Sequence, residues 1–238
     1  MKIQRFIRKR GFTLLETVIA IGVLAVLLTG FMYVFAPASE GIKRAINIQA
    51  ADRLASTLEQ ELVTLRDGQT PTDAVTGFAK AYDWIKESNT SAEALIIYQY
   101  RGDFSSFRKD GSSVPVVTVK DKLAGRDYTL QTMLRRKSDS FFKADLPAVE
   151  GEVYYVKCKQ LIFEGETLKT GVGGSIVDPK TGTALAGAEN YPEAVIAFTA
   201  DFYSLRNKNP TTFEAALDTA FQKTTNKPVF TRNLAIRR

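Results

Sequence analysis

The sequence predicts an α+β protein in which a long N-terminal spine helix, half transmembrane and half amphipathic, packs on an antiparallel β-sheet head. Three observations carry that prediction. A basic N-terminus runs into an apolar stretch from Phe12 to Ala36; apolar residues then recur every three or four positions to Leu65; beyond them, β-branched and aromatic runs alternate with Gly, Pro and Asp turns. The first two patterns read as helix and the third as strand. With 45% apolar and 24% charged residues, a chain of 238 can bury a core and still carry an extension.

Residues 1–11 form a basic leader. Lys2, Arg5, Arg8, Lys9 and Arg10 supply five of the six net positive charges with no acid among them, so the rest of the chain is nearly neutral. The basic excess is therefore an N-terminal address and not a binding face. Residues 12–36 would extend ~37 Å as a helix at ~1.5 Å per residue, against a hydrocarbon core of ~30 Å. Positive charge before the span and near-neutrality after it predict one pass, with the N-terminus cytoplasmic and the bulk of the chain outside.

Glu16 interrupts the plain anchor pattern. An ionised carboxylate inside an apolar span costs a few kcal/mol and needs a partner or an escape to the interface. Gly11, then Phe12-Thr13-Leu14-Leu15-Glu16 and about twenty apolar residues, resembles the class III signal of type IV pilins and type II secretion pseudopilins. The resemblance covers roughly residues 1 to 40. It implies that a prepilin peptidase in the inner membrane cuts between Gly11 and Phe12 and then N-methylates Phe12. It also implies that Glu16 pairs with the freed Phe12 amine of a neighbouring pilin or pseudopilin subunit, which sets the axial register of stacked helices. An assembly platform and its ATPase would act on the membrane-held subunit. Many relatives carry a proline within the apolar helix; here the first is Pro37, and Gly22 and Gly30 are the candidate sources of flexibility. A looser similarity, over Arg53 to Gly68, is to tip-complex pseudopilins of the J type. A conventional secretory signal is the competing reading, since Ala36-Pro37-Ala38 has the small-x-small form; its central proline and long apolar stretch argue against it.

Residues 37–68 continue the spine. Ile42, Ile46, Ala50, Leu54, Leu58, Leu62 and Leu65 form the apolar stripe, with Lys43, Asp52, Glu59, Glu61 and Arg66 assigned to other faces and Asp67-Gly68 as the stop. The head, residues 69–238, opens with a helix over 72–88 striped by Val75, Phe78, Ala79, Tyr82 and Ile85. Strands are expected at 94–100, 114–120, 127–135, 152–163 and 194–205, joined by connections too short for helical crossovers and hence antiparallel. Thr211 and Glu214 form a capping-box pattern before a helix with Phe213, Ala216, Leu217, Ala220 and Phe221 on one face. Glycine-rich residues 164–192 read as a long loop or loose hairpin.

Chemistry is sparse. No histidine and a single cysteine, Cys158, exclude Ser-His-Asp and Cys-His nucleophiles, His-bound zinc and Cys-x-x-Cys sites within this chain. Cys158 in its strand-like run is expected to be buried and inert, with pairing between chains as the alternative. Gly171 to Ser175 lacks the lysine of a phosphate loop and reads as a turn. Asp178, Glu189, Asn190 and Glu193 do not match a calcium-loop spacing, so no metal and no cofactor is assigned. Arg135-Arg136-Lys137, Arg237-Arg238, and Tyr98, Tyr100, Phe104 and Phe107 beside Arg101, Arg108 and Lys109 make the best case for single-stranded DNA, but the aromatics alternate as core residues do, which argues against nucleic acid as a partner. Asn89-Thr90-Ser91 fits a glycosylation sequon but carries no weight behind a bacterial-type leader. No convergent catalytic set can be named, so the expectation is a structural subunit, a minor pilin or minor pseudopilin. The alternative is a membrane-anchored extracytoplasmic binding module that forms no filament.

Overall fold

A computed structural model describes residues 13–65, 76–103, 116–118, 122–139 and 141–238. The leader, Gly11, Phe12, the stop at Asp67-Gly68, Val75 and most of the expected strand at 114–120 lie outside the described residues. The first element is helix α1, Leu14–Val63, and the chain divides within it into two compact units, Met1–Ile46 and Asn47–Arg238.

In the first unit the helix exposes its large apolar side chains all round, from Leu14 through Phe35 and on to Ile42 and Ile46. None of the described residues covers them. The rings of Phe31 and Phe35, one turn apart, stack at 4.0 Å. Pro37 sits inside the helix, where it supplies no N–H to the carbonyl one turn back.

The second unit begins with the rest of α1, and here the stripe is buried: Leu54, Leu58 and Leu62, with Ala55, enter a core formed with helix α2, Gly77–Glu87, and one face of the sheet. Glu61 departs from the expected pattern, since it is buried instead of facing outward. α2 presents Phe78, Tyr82 and Ile85 to this core as its periodicity predicts, and the Thr76 hydroxyl caps its N-terminus by accepting from Ala79 N–H at 3.1 Å.

The sheet is antiparallel throughout. Its strands are β1 (Leu95–Gly102), β2 (Thr129–Arg136), β3 (Val149–Glu164), β4 (Thr167–Thr170), β5 (Val195–Leu205) and β6 (Phe230–Arg237), in the order β2-β1-β3-β5-β6, with β4 paired to the far end of β3. Side chains alternate between two cores. On β3, Tyr154, Val156 and Cys158 face α1 and α2, whereas Val153 and Tyr155 face the second core under α3 (Phe142–Asp145) and α4 (Phe213–Gln222). Four of the strand runs predicted from sequence correspond to β1, β2, β3 and β5. β6 and β4, the latter in the region whose composition reads as a loop, are additions that the structure makes.

Two expectations fail locally. The capping box does not form: the N-cap of α4 is Thr212, whose hydroxyl accepts from the Asn207 amide at 2.9 Å, while Glu214 pairs with Lys143 at 2.9 Å. Residues 164–192, expected as a long loop or loose hairpin, begin with β4 and continue as a loop with one short antiparallel bridge, Val177↔Ala184, but the loop is packed down and not loose. Gln160 on β3 stitches it down, its amide donating to Val177 O and accepting from Val177 N–H, both at 2.8 Å, and Ile176, Ala188 and Tyr191 are buried.

α2 also closes the end of α1. Lys80, 1% exposed, donates to the carbonyls of Glu61 at 3.0 Å and Thr64 at 2.5 Å, and its ammonium lies 4.2 Å from the Trp84 ring centre. A cation at a helix C-terminus satisfies carbonyls that have no partner inside the helix and meets the negative end of the dipole. Gly77 makes the close approach possible, because a Cβ there would overlap the Val63 carbonyl oxygen. Replacing Gly77 with Ala or Lys80 with Met is expected to destabilise the Asn47–Arg238 unit by about 1–3 kcal/mol. Denaturant unfolding followed by the fluorescence of Trp84, the sole tryptophan, checks this.

Candidate functional site

The candidate site is the start of α1. Gly11 and Phe12, the expected cleavage and methylation positions, and the leader charges Lys2, Arg5, Arg8, Lys9 and Arg10 lie outside the described residues. Thr13 opens the helix. Its hydroxyl accepts from Glu16 N–H at 3.3 Å and its carbonyl from the Thr17 hydroxyl at 3.1 Å. Glu16 thus stands at the third helical position behind a threonine N-cap, the spacing of a capping box. The sequence signal for this cap is the Thr13-x-x-Glu16 spacing, the same pattern that Thr211 and Glu214 display without forming one. A carboxylate in the first turn also meets the positive end of the helix dipole.

Further along α1, small residues interrupt the apolar surface. Ala25, Val26, Thr29, Gly30 and Tyr33 line a shallow groove of about 520 Å³, and the Thr29 hydroxyl is spent on its own Ala25 carbonyl at 2.8 Å. Such a groove admits close approach of another helix. Leu14–Ile46 is long and apolar enough to cross a membrane.

Residues 7–32 match the prokaryotic N-terminal methylation motif. The segment is a type IV pilin-like signal, and by that motif the chain is a prepilin-peptidase substrate. The match ends before Arg53 and gives no support to the J-type similarity. No curated protein and no solved structure matches the chain.

The remaining candidates lie in the head. Tyr98 and Tyr100 are fully buried, and Arg135, 1% exposed, is held by Asp139 at 2.7 Å and Asp145 at 2.8 Å, with the Tyr98 hydroxyl on the same Asp145 oxygen at 2.6 Å. Arg101 is buried against Glu150 and Val117 O. Arg136 pairs with Glu87, Lys137 with Asp218, and Arg238 folds back onto the carbonyls of Ala188 and Tyr191. Tyr98, Tyr100, Arg101 and Arg135 are thus internal, Arg136 and Lys137 are half-buried in ion pairs, and Arg237 and Arg238 are exposed. Phe104, Phe107, Arg108 and Lys109 lie outside the described residues. Gly173 packs on the Asn89 amide, which itself donates to Cys158 O at 2.5 Å, so the glycine passage is a packed turn and the sequon asparagine is engaged. Asp178 accepts from Lys180 N–H at 2.8 Å, and Glu193 pairs with Lys180 at 3.1 Å. Among the described residues no group of three or more acids or cysteines converges.

Cys158 is buried on β3, and burial pushes its thiol up to about 12 against a small opposing effect of Ser88. Burial likewise raises Tyr82 and Tyr154 to about 12. All three pKa values are raised on folding, so the stabilisation is complete below their unfolded values, ~8.5 for Cys and ~10 for Tyr, and is lost as pH climbs towards 12. Alkaline unfolding is therefore expected between about pH 9 and 12. At pH 8 the thiol should resist iodoacetamide until denaturant opens the fold, as intact mass after timed alkylation would show.

Proposed function

We propose that this protein is a non-enzymatic structural subunit, a minor pilin or minor pseudopilin, of a type IV pilus-like or type II secretion filament. The observation that carries the reading is a methylation-motif helix whose apolar surface no described residue covers. In this reading Sec-type insertion leaves the leader in the cytoplasm and the head outside the inner membrane. The peptidase removes residues 1–11 and methylates Phe12, and the span remains in the bilayer as the assembly element.

Glu16 then acquires its partner. Its carboxylate and the Phe12 amine of an adjacent subunit each cost several kcal/mol alone in hydrocarbon and neutralise one another in one stagger of the helices, so the pair selects register. The Thr13 cap supports that role by holding the first turn closed around Glu16. The head supports a minor position, since its bulk suits the end of a filament better than a repeating lattice.

Intact mass of the membrane-extracted protein should start at methylated Phe12, and a bulky residue at Gly11 should block that cleavage. Glu16→Ala should leave insertion and cleavage unchanged yet lower incorporation into filaments at least about tenfold, equivalent to ~1.4 kcal/mol. Normal incorporation of the variant overturns the pairing role. Cross-links through Val18 to Leu28 that yield ladders support bundling, whereas a monomeric anchor yields none.

A further inference from the structure

We infer that the head carries a peptide-docking cleft at the edge of β5, suited to an acidic segment of another protein in extended conformation. β6 pairs with β5 from Val195↔Arg237 to Phe202↔Phe230 and then stops. The reason is in the sequence. Just past the last pair the register slips by one residue, and Pro228, next along the chain, has no N–H to give. Val229 makes the last hydrogen bond, donating to Phe202 O at 2.8 Å, and the chain then leaves the edge. Phe202 directs its carbonyl towards β6, so the alternation of an antiparallel strand turns the N–H and C=O of Ser204 to the same side, where β6 provides no partner residue.

A cleft of about 410 Å³ occupies that gap, walled by Tyr203, Ser204 and Arg206 of the β5 edge and by Asn226, Lys227 and Val229 opposite. Its floor is fixed. Tyr155 and Tyr203 stack at 4.8 Å, the Tyr155 hydroxyl donates to Ala220 O at 3.2 Å, and the Asn226 amide donates to the same carbonyl at 2.9 Å. The one carboxylate in the cleft, Glu152, already accepts from the Ser204 hydroxyl at 2.9 Å. Arg206 and Lys227 are exposed at the rim, and neither has an ion-pair partner among the described residues. An unpaired strand edge recognises extended backbone, and two uncommitted cations beside it select acid over base.

The test uses the full chain in detergent micelles and blocked pentapeptides, acetyl-Thr-Val-Xaa-Val-Thr-amide, with Xaa as Glu, Gln or Lys, in calorimetric titrations. The Glu peptide should bind at least about fivefold tighter than the Gln peptide, on the scale of two exposed charge pairs, and the Lys peptide weakest. Arg206→Gln with Lys227→Gln, both exposed and outside either core, should abolish that order while leaving the unfolding curve unchanged. N-methylation of the peptide at Xaa, which removes a backbone donor, should abolish binding. Equal affinity for all three peptides, no binding at millimolar peptide, or binding of digalacturonate in preference to the Glu peptide would overturn the proposal, the last by assigning the cleft to acidic saccharide. Filament entry of the double variant is a separate measurement, so failure here leaves the Glu16 reading standing.

Discussion

From Leu14 to Phe35 the helix exposes leucine, isoleucine, valine and phenylalanine on every side. At roughly 25 cal/mol per Å² of apolar surface, such a surface favours lipid or other helices over water. The basic leader before it and Glu16 within it have meaning only against that background. In water Glu16 would be an ordinary capping-box acid; in hydrocarbon the same carboxylate becomes a demand for a counter-charge.

The same helix changes character beyond Ile46. Leu54, Leu58 and Leu62 are buried by the head, and the polar residues around them tie α1 to the sheet. Asp52 pairs with Arg232 at 2.8 Å, Glu59 accepts from Ala235 N–H at 3.0 Å, and Arg53 donates to Gln99 at 3.0 Å. Two of those partners lie on β6. The C-terminal strand therefore has a double task, as edge of the sheet and as seat for the amphipathic part of α1, with Lys80 closing the last turn. Head and helix in this unit share one hydrophobic core.

The head has no convergent catalytic or metal-binding group among its described residues, and its charged side chains are largely consumed internally. Arg101, Arg135 and Arg136 each meet acids within the fold, which explains why basic clusters in the sequence do not become basic patches. Arg206 and Lys227, beside the point where β6 leaves β5, are exposed and without an ion pair among the described residues.

The apolar span, the signal motif, the α1 stripe, α2 and four strands are legible in composition and period, because those features are set by residues close in sequence. β6 is less legible: Phe230, Leu234 and Ile236 alternate along it but Arg232 breaks that side, and pairing with β5 makes it a strand. Glu61 and Arg135 read as surface residues in the sequence but are buried, because burial of a charge depends on neighbours that the fold supplies, as Asp145 does for Arg135. The threonine cap absent at Thr211 and present at Thr13 shows that a four-residue pattern is ambiguous until the backbone fixes where the helix starts. The sequence by itself determined that this chain has an apolar N-terminal helix bearing one acid and a type IV pilin-like signal. Which polar groups are consumed, which strand ends early and which cations remain free were decided only by tertiary structure, since hydrogen bonds and ion pairs are satisfied by spatial neighbours.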